Sequence, residues 1–259
     1  MKNIQTLFLA VIISISSNSW AYDIAGIKLG SSVEEAFDAF KKLKGSYKII
    51  NHKSSDGQLT GFVATTGVQR TDMSSQLSGY VADEIKVAKS EAESVWFIGR
   101  FQQFSKNERF DPKTLLSSIS SKYGAESYFV NMYDPQWKSN ANNIGPQSRF
   151  EMSWEYYPNG KLWTMATNKP SPCGNALHLA IMPVIGEVIG NPTSISSTCG
   201  TAINLKFTTD ENGLVDSLIV LMGDFPKLYA VLISRDAKQE ADKKKSIEAL
   251  KANAPKPNL

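Results

Sequence analysis

Residues 150–167 decide the fold, and they read Phe-Glu-Met-Ser-Trp-Glu-Tyr-Tyr-Pro-Asn-Gly-Lys-Leu-Trp-Thr-Met-Ala-Thr. The runs Phe150–Tyr156 and Leu162–Thr167 flank residues 157–161, where a proline and an Asn-Gly pair supply the turn chemistry of a hairpin. A second hairpin is predicted from Ile203–Thr209 and Leu214–Met222, which flank an Asp-Glu-Asn-Gly turn. Hairpins dominate and strict strand–helix alternation is absent. The sequence therefore predicts an α+β fold with antiparallel sheets and packed helices.

Two helices are predicted from the residues at their ends. Ser31 or Ser32 caps the first helix, which Gly45 ends. Asp111 and Pro112 begin the second helix, and Gly124 ends it. The predicted buried faces are Val33, Ala36, Phe37, Phe40 and Leu43 in the first helix, and Leu115, Leu116, Ile119 and Tyr123 in the second.

Two further helices are predicted towards the C-terminus. Residues 180–189 form a helix-like segment that ends at a Gly-Asn-Pro sequence. Asp224 caps a long final helix with Pro226 in its first turn, and residues 238–251 make its later part charged and solvated. We expect residues 253–259 to form a frayed, proline-containing tail.

The N-terminus has the three parts of a secretory signal. Lys2 supplies the positive charge, residues 7–15 are an apolar run, and Ser19-Trp20-Ala21 has the small-x-small pattern of a cleavage site. The apolar run is much shorter than the roughly 20 residues of a spanning helix, which disfavours the alternative of an uncleaved anchor. We expect cleavage after Ala21 and a periplasmic or secreted product without an integral membrane segment.

The chain contains two cysteines, Cys173 and Cys199. In an oxidising compartment an even pair predicts a disulfide. The closed loop would stabilise the fold by about 3.5 kcal/mol on the chain-entropy estimate. The alternative is a thiol nucleophile paired with His178, which an oxidised partner would disable because the thiolate is the reactive form.

Charge and motifs exclude several classes of function. The formal net charge is +3, and no basic face with base-reading groups is evident, so we expect no nucleic-acid partner. No dinucleotide fingerprint, Walker loop or His-Glu-x-x-His sequence occurs, and we expect neither a cofactor nor a metal. Of the two histidines, His52 lies in a polar loop and His178 in an apolar stretch. An envelope hydrolase that uses His178 with a nearby acid is the catalytic alternative.

Aromatic residues are concentrated between Tyr123 and Trp163. They are Tyr128, Phe129, Tyr133, Trp137, Phe150, Trp154, Tyr156 and Tyr157. An Asn-rich loop over residues 131–147 carries Trp137, and aromatics beside amides suit stacking against sugars, peptides or a protein partner. The candidate binding residues are Tyr133, Trp137, Trp154 and Tyr156. The alternative is that Phe150, Trp154 and Trp163 are core residues of the hairpin.

The segment Gly26-Ile-Lys-Leu-Gly-Ser-Ser-Val-Glu-Glu-Ala-Phe37 resembles the start of small exported α+β modules of the outer-membrane lipoprotein A and beta-lactamase-inhibitor type. With Lys122-Tyr123-Gly124 it also resembles uncharacterised exported proteins of Gram-negative bacteria. The likeness covers about 20 residues and consists largely of helix-capping chemistry. It implies a binding or scaffold module rather than an enzyme. The chain departs from the first type by its length and by lacking a lipid-attachment cysteine, and no functional residue can be transferred.

We expect either one domain or two lobes with a boundary near Asn140. The lobes would be residues 22–140 and 141–224, the second with the disulfide, followed by the helix 225–252. The expected function is that of a non-catalytic binding or accessory protein that engages a protein or an envelope component. An inhibitor or immunity protein is a specific version of it, and a structural role for the charged C-terminal helix is a further alternative.

Overall fold

A computed structural model describes residues 22–43, 47–53, 57, 59–67, 83–89, 94–133, 144–167, 169–174 and 197–252. The signal segment 1–21, the expected boundary near Asn140, the helix expected over 180–189 and the tail 253–259 lie outside these residues.

Strands are the most abundant regular elements of the described chain. They are β1 (Asp23–Ile24), β2 (Ile27–Lys28), β3 (Lys48–Lys53), β4 (Leu59–Thr65), β5 (Asp83–Lys89), β6 (Val95–Gln103), β7 (Tyr128–Asn131), β8 (Arg149–Tyr156), β9 (Leu162–Trp163), β10 (Thr201–Thr209) and β11 (Val215–Asp224). The helices are α1 (Val33–Lys42), α2 (Pro112–Tyr123) and α3 (Phe225–Ala252).

A nine-stranded sheet forms the centre of the molecule, in the order β3-β4-β5-β6-β11-β10-β8-β7 with β9 paired to β8. Every pairing within it is antiparallel. Strands β1 and β2 form a separate small hairpin. The predicted α+β class, with antiparallel sheets, a disulfide and a long C-terminal helix, is confirmed.

Both predicted hairpins are present. β10 and β11 pair around the Asp210–Gly213 turn, and β8 pairs with β9 around residues 157–161. The second strand of the latter hairpin is shorter than predicted, because the chain turns at Met165–Thr167. There the Met165 N–H donates to the Ser127 carbonyl at 3.2 Å, so the chain leaves β8 and crosses towards the start of β7.

The helix ends confirm the predicted capping chemistry. Ser32 is the N-cap of α1, where its hydroxyl accepts from the Glu35 N–H and the Glu35 carboxylate accepts from the Ser32 N–H. Asp111 caps α2, and its carboxylate accepts from the Lys113 N–H at 2.7 Å. α1 ends at Lys42, earlier than expected, and Gly45 lies outside the described residues.

One face of the sheet, which we call the helix face, packs against α1 and α2. Alternate apolar side chains of the strands meet both helices in one continuous core. The main strand contributions are Phe62, Ile85, Val87, Ile98, Phe150, Met152, Trp154, Ile203, Leu205, Phe207, Leu218 and Met222. All of the stripe predicted for α2 is buried, and so are Val33, Ala36 and Phe40 of α1.

The opposite face, which we call the disulfide face, holds a second and smaller core. Cys173 and Cys199 pack there with residues of β6, β10 and β11 and with the first turn of α3. Phe225 and Leu228 of α3 are buried, whereas every described side chain from Tyr229 to Leu250 is exposed. No helix within the described ranges is both long enough and apolar enough to cross a bilayer.

Candidate functional site

Two of the four aromatic residues predicted to bind lie in or against the core. Trp154 is 0 % exposed, its ring centroid lies 5.6 Å from that of Tyr123, and its Nε1–H donates to the Gly124 carbonyl at 3.1 Å. The Tyr156 ring is partly buried, 5.6 Å from the Tyr22 ring. The burial of Trp154 supports the alternative that it is a core residue of the hairpin.

Tyr133 is the described member of the predicted set that faces solvent. It is 62 % exposed, and the adjacent Met132 is 41 % exposed. The backbone beneath both side chains is held in place: the Met132 N–H donates to the Arg149 carbonyl, and the Tyr133 N–H donates to the Asn131 side-chain oxygen. The two residues therefore form a small apolar patch on a hydrogen-bonded backbone at the end of β7, which we call the β7-end patch.

The described members of the predicted aromatic set do not form one surface. Asn131 pairs with Phe150 near the start of β8, whereas Trp154 and Tyr156 lie four and six residues further along that strand. At about 3.3 Å per residue, the separation along the strand is at least about 13 Å. Trp137, expected to be exposed, and His178, the expected catalytic residue of the hydrolase alternative, both lie outside the described residues.

A buried polar cluster on the disulfide face was not predicted. Glu151, Ser153 and Glu155 of β8 lie opposite Lys206, Asn204 and Ala202 of β10, respectively. The Glu151 carboxylate accepts from the Tyr128 hydroxyl at 3.1 Å, the Asn204 amide at 2.7 Å and the Lys206 ammonium at 3.3 Å. Asn204 is 5 % exposed, and its side-chain oxygen has no hydrogen-bond donor within the described part of the chain.

Glu155 connects this cluster to the disulfide. Its carboxyl group is buried and accepts from the Ser171 hydroxyl, and the same hydroxyl oxygen accepts from the N–H groups of Cys173 and Gly174. Burial raises the pKa of Glu155 above its ordinary value, and hydrogen bonds from Ser171 and Cys173 only partly offset that effect. The two carboxyl groups of β8 therefore lie in different environments, one surrounded by donors and the other desolvated.

The sequence does carry a signal for this cluster. Polar and apolar residues alternate in both β8 and β10, which places Glu151, Ser153 and Glu155 on the face opposite Phe150, Met152 and Trp154. Such a polar face is normally exposed to water. Only the tertiary structure shows that Ser153, Glu155 and Asn204 are 2–5 % exposed.

The disulfide between Cys173 and Cys199 is present, as predicted. The sulfur atoms are bonded, the Cα atoms are 4.5 Å apart, and both side chains are buried. The thiol-nucleophile alternative is therefore wrong for this state of the protein, because neither sulfur is a free thiol.

Two ion pairs hold other parts of the sheet together. The Arg100 guanidinium donates twice to the Asp83 carboxylate, at 3.0 Å and 2.5 Å, and the Tyr47 hydroxyl donates to the same carboxylate at 2.7 Å. Burial raises the pKa of Tyr47 to about 12, and the hydrogen bond to Asp83 adds to this effect. Because Tyr47 immediately precedes β3, this cluster anchors the start of that strand.

The second ion pair is more deeply buried. The side chains of Arg109 and Asp210 are 8 % and 4 % exposed, and the guanidinium nitrogen lies 2.9 Å from the carboxylate oxygen. The other Asp210 oxygen accepts from the N–H groups of Asn212 and Leu214, which closes the β10–β11 turn.

Metal-ligating side chains are dispersed in the described ranges, where no three histidine, cysteine, aspartate or glutamate residues are grouped to hold an ion. Comparison of the chain with models of protein families, with curated proteins and with solved structures finds no match.

Proposed function

We propose that the protein is exported, with its signal segment cleaved after Ala21, and that it acts by binding a protein or an envelope component. In this proposal it works in the periplasm or outside the cell as an accessory module without catalysis. An inhibitor or immunity protein is a specific version of this proposal. The disulfide supports an oxidising compartment, where such bonds form and persist.

The observation that carries the proposal is the β7-end patch. Tyr133 presents most of its ring to solvent, and Met132 lies exposed beside it on a backbone that is hydrogen-bonded to β8. Tyrosine is enriched in the central anchors of protein interfaces, because it supplies a large contact area and a polar tip at a small cost in conformational entropy. Methionine adapts to irregular partner surfaces. Trp137 follows four residues after Tyr133, and we include it in the proposed surface.

The test is the recovery of a partner from an envelope extract of the source cells, followed by calorimetry with the purified partner. We expect a stoichiometric partner for the native protein. Tyr133→Ala and Trp137→Ala should each weaken its binding by at least about tenfold, as truncation of an interface anchor does.

Tyr229→Ala is the matched control. This tyrosine is also exposed, but it lies on α3 at the opposite end of the long strands. Its replacement should leave the affinity unchanged, and the thermal midpoints of all three variants should equal that of the native protein. Failure to recover a stoichiometric partner, or equal affinities for the native protein and Tyr133→Ala, would contradict the proposal.

A further inference from the structure

Within the described ranges, strand β3 lies at one edge of the sheet and has no strand paired to its outer side. It is the terminal strand in the sheet order, and it pairs with β4. Five of its six residues are exposed, which for an edge strand means that both of its faces are open. Ile49 and Ile50 point to opposite faces and are 41 % and 45 % exposed. An edge of this kind presents unpaired backbone groups and apolar side chains together, which is the template for adding another strand.

The outer edge of β3 is also basic. The strand reads Lys48-Ile-Ile-Asn-His-Lys53, with a lysine at each end and no acidic residue. Lys42, in the last turn of α1, is exposed as well. The ring of Phe40 lies 6.4 Å from that of Tyr47, which brings this end of α1 close to the start of β3. The two isoleucines are therefore bordered by positive charge.

This charge pattern disfavours full-length pairing of β3 with a second copy of itself. A second copy in the antiparallel register that pairs all six residues would place Lys48 opposite Lys53, and a parallel copy would place each lysine beside its equivalent. Like charges directly opposite each other destabilise a strand pair. An acidic partner strand would instead place carboxylates opposite the lysines and apolar residues beside Ile49 and Ile50.

We propose that β3 binds an extended acidic segment of a partner protein by strand addition. Main-chain hydrogen bonds to the open edge supply the affinity. Ile49 and Ile50 contact neighbouring residues of the segment, one on each face of the sheet. Lys48 and Lys53 select for acidic residues at its ends. The anchor formed by Asp83, Arg100 and Tyr47 fixes the position of β3 before binding. This surface lies at the opposite edge of the sheet from the β7-end patch and is independent of the function proposed above.

The probe is a fluorescein-labelled peptide of alternating valine and threonine with two glutamates at each end. Its comparison peptide has lysines in place of the glutamates. Fluorescence anisotropy with the purified protein should give at least tenfold tighter binding of the acidic peptide. The double variant Lys48→Glu/Lys53→Glu should reverse the preference, because both end pairs then change from attraction to repulsion. Tyr133→Ala should bind the acidic peptide like the native protein, which separates this test from that of the β7-end patch.

Alternate N-methylation of the acidic peptide distinguishes strand addition from general attraction between opposite charges. One edge of an added strand faces β3 and the other faces solvent. Methyl groups on the facing amides should abolish binding, whereas methyl groups on the other set should leave it largely intact. Because this comparison changes only the peptide, it does not depend on the folding of any variant.

Three outcomes would overturn the proposal. They are absence of acidic-peptide binding at millimolar concentration, equal sensitivity to both N-methylation patterns, and self-association of the protein that Ile50→Lys abolishes. The last outcome would assign the edge to a second copy of the chain.

Discussion

Replacement of Asp210 by asparagine tests how strongly one buried ion pair stabilises the sheet. Asparagine retains a side-chain oxygen for the N–H groups of Asn212 and Leu214, so the turn keeps its hydrogen bonds. Its amide nitrogen, however, would face the Arg109 guanidinium in place of a carboxylate oxygen now 2.9 Å away. The variant thus leaves a buried positive charge without its partner while changing little else in shape.

We expect Asp210→Asn to lower the free energy of unfolding by about 3 kcal/mol. Breaking one side of a buried pair costs about 3–5 kcal/mol, and the retained backbone hydrogen bonds place this case at the lower end. Urea denaturation at pH 7 and 25 °C, with the disulfide intact, measures the difference. The matched control is Asp38→Asn, which removes a comparable contact to Lys41 at 2.8 Å between side chains that are 61 % and 77 % exposed. That variant should show no measurable change.

A double-mutant cycle tests whether the destabilisation by Asp210→Asn comes from the lost ion pair with Arg109. In an Arg109→Leu background the same replacement of Asp210 should cost far less, with a coupling energy of about 2 kcal/mol or more. Equal stabilities of the Asp210→Asn and Asp38→Asn variants, or additive effects at positions 109 and 210, would show that this ion pair does not stabilise the sheet.

The loss of unfolding free energy caused by Asp210→Asn should also depend on pH. Burial disfavours the ionised form of Asp210, but the Leu214 N–H and the Arg109 guanidinium outweigh it and lower the pKa of Asp210 below its ordinary value of 3.8. A carboxyl group whose pKa is lower in the folded than in the unfolded state stabilises the folded protein at pH values above its ordinary pKa. This stabilisation is lost as the pH falls through the folded-state pKa. The difference between the native protein and the variant should therefore stay constant above about pH 5 and shrink in more acidic solution.

Two further variants test the disulfide face. Replacing both Cys173 and Cys199 by serine reopens a loop with a sequence separation of 26 and should cost about 3.5 kcal/mol on the chain-entropy estimate. The native protein under reducing conditions should match the variant in urea denaturation, and a stability equal to that of the oxidised protein would contradict the estimate. Glu155→Gln should gain stability relative to the native protein as the pH rises. Because the pKa of Glu155 is raised in the folded state, the protonated carboxyl stabilises the fold fully at pH values below the ordinary pKa of 4.5. This stabilisation is lost as the pH rises and the buried carboxyl ionises. Urea midpoints at several pH values between 4 and 8 measure this, and a constant difference across that range would contradict it.

Local sequence signals predicted much of the secondary structure. Asp111, Pro112 and Gly124 mark the ends of α2 because capping and proline geometry act within a single turn. The two hairpins follow from turn residues that lie between the strands they connect. The disulfide was predicted from the presence of two cysteines in a chain whose N-terminus predicts export. The helix ends and hairpins depend on residues that are close together in sequence, and two cysteines allow a single disulfide pairing.

The tertiary structure alone decided the order of the strands, the role of the aromatic residues and the environment of the polar ones. β6 lies beside β11 although more than 100 residues separate them, and no local pattern encodes a neighbour that distant. Alternation placed Trp154 and Glu155 on opposite faces of one strand, but it could not show that both faces are covered there. The alternation of residues along a strand determines which side chains share a face. The segments that pack against that face determine whether those side chains contact water, a partner or the core.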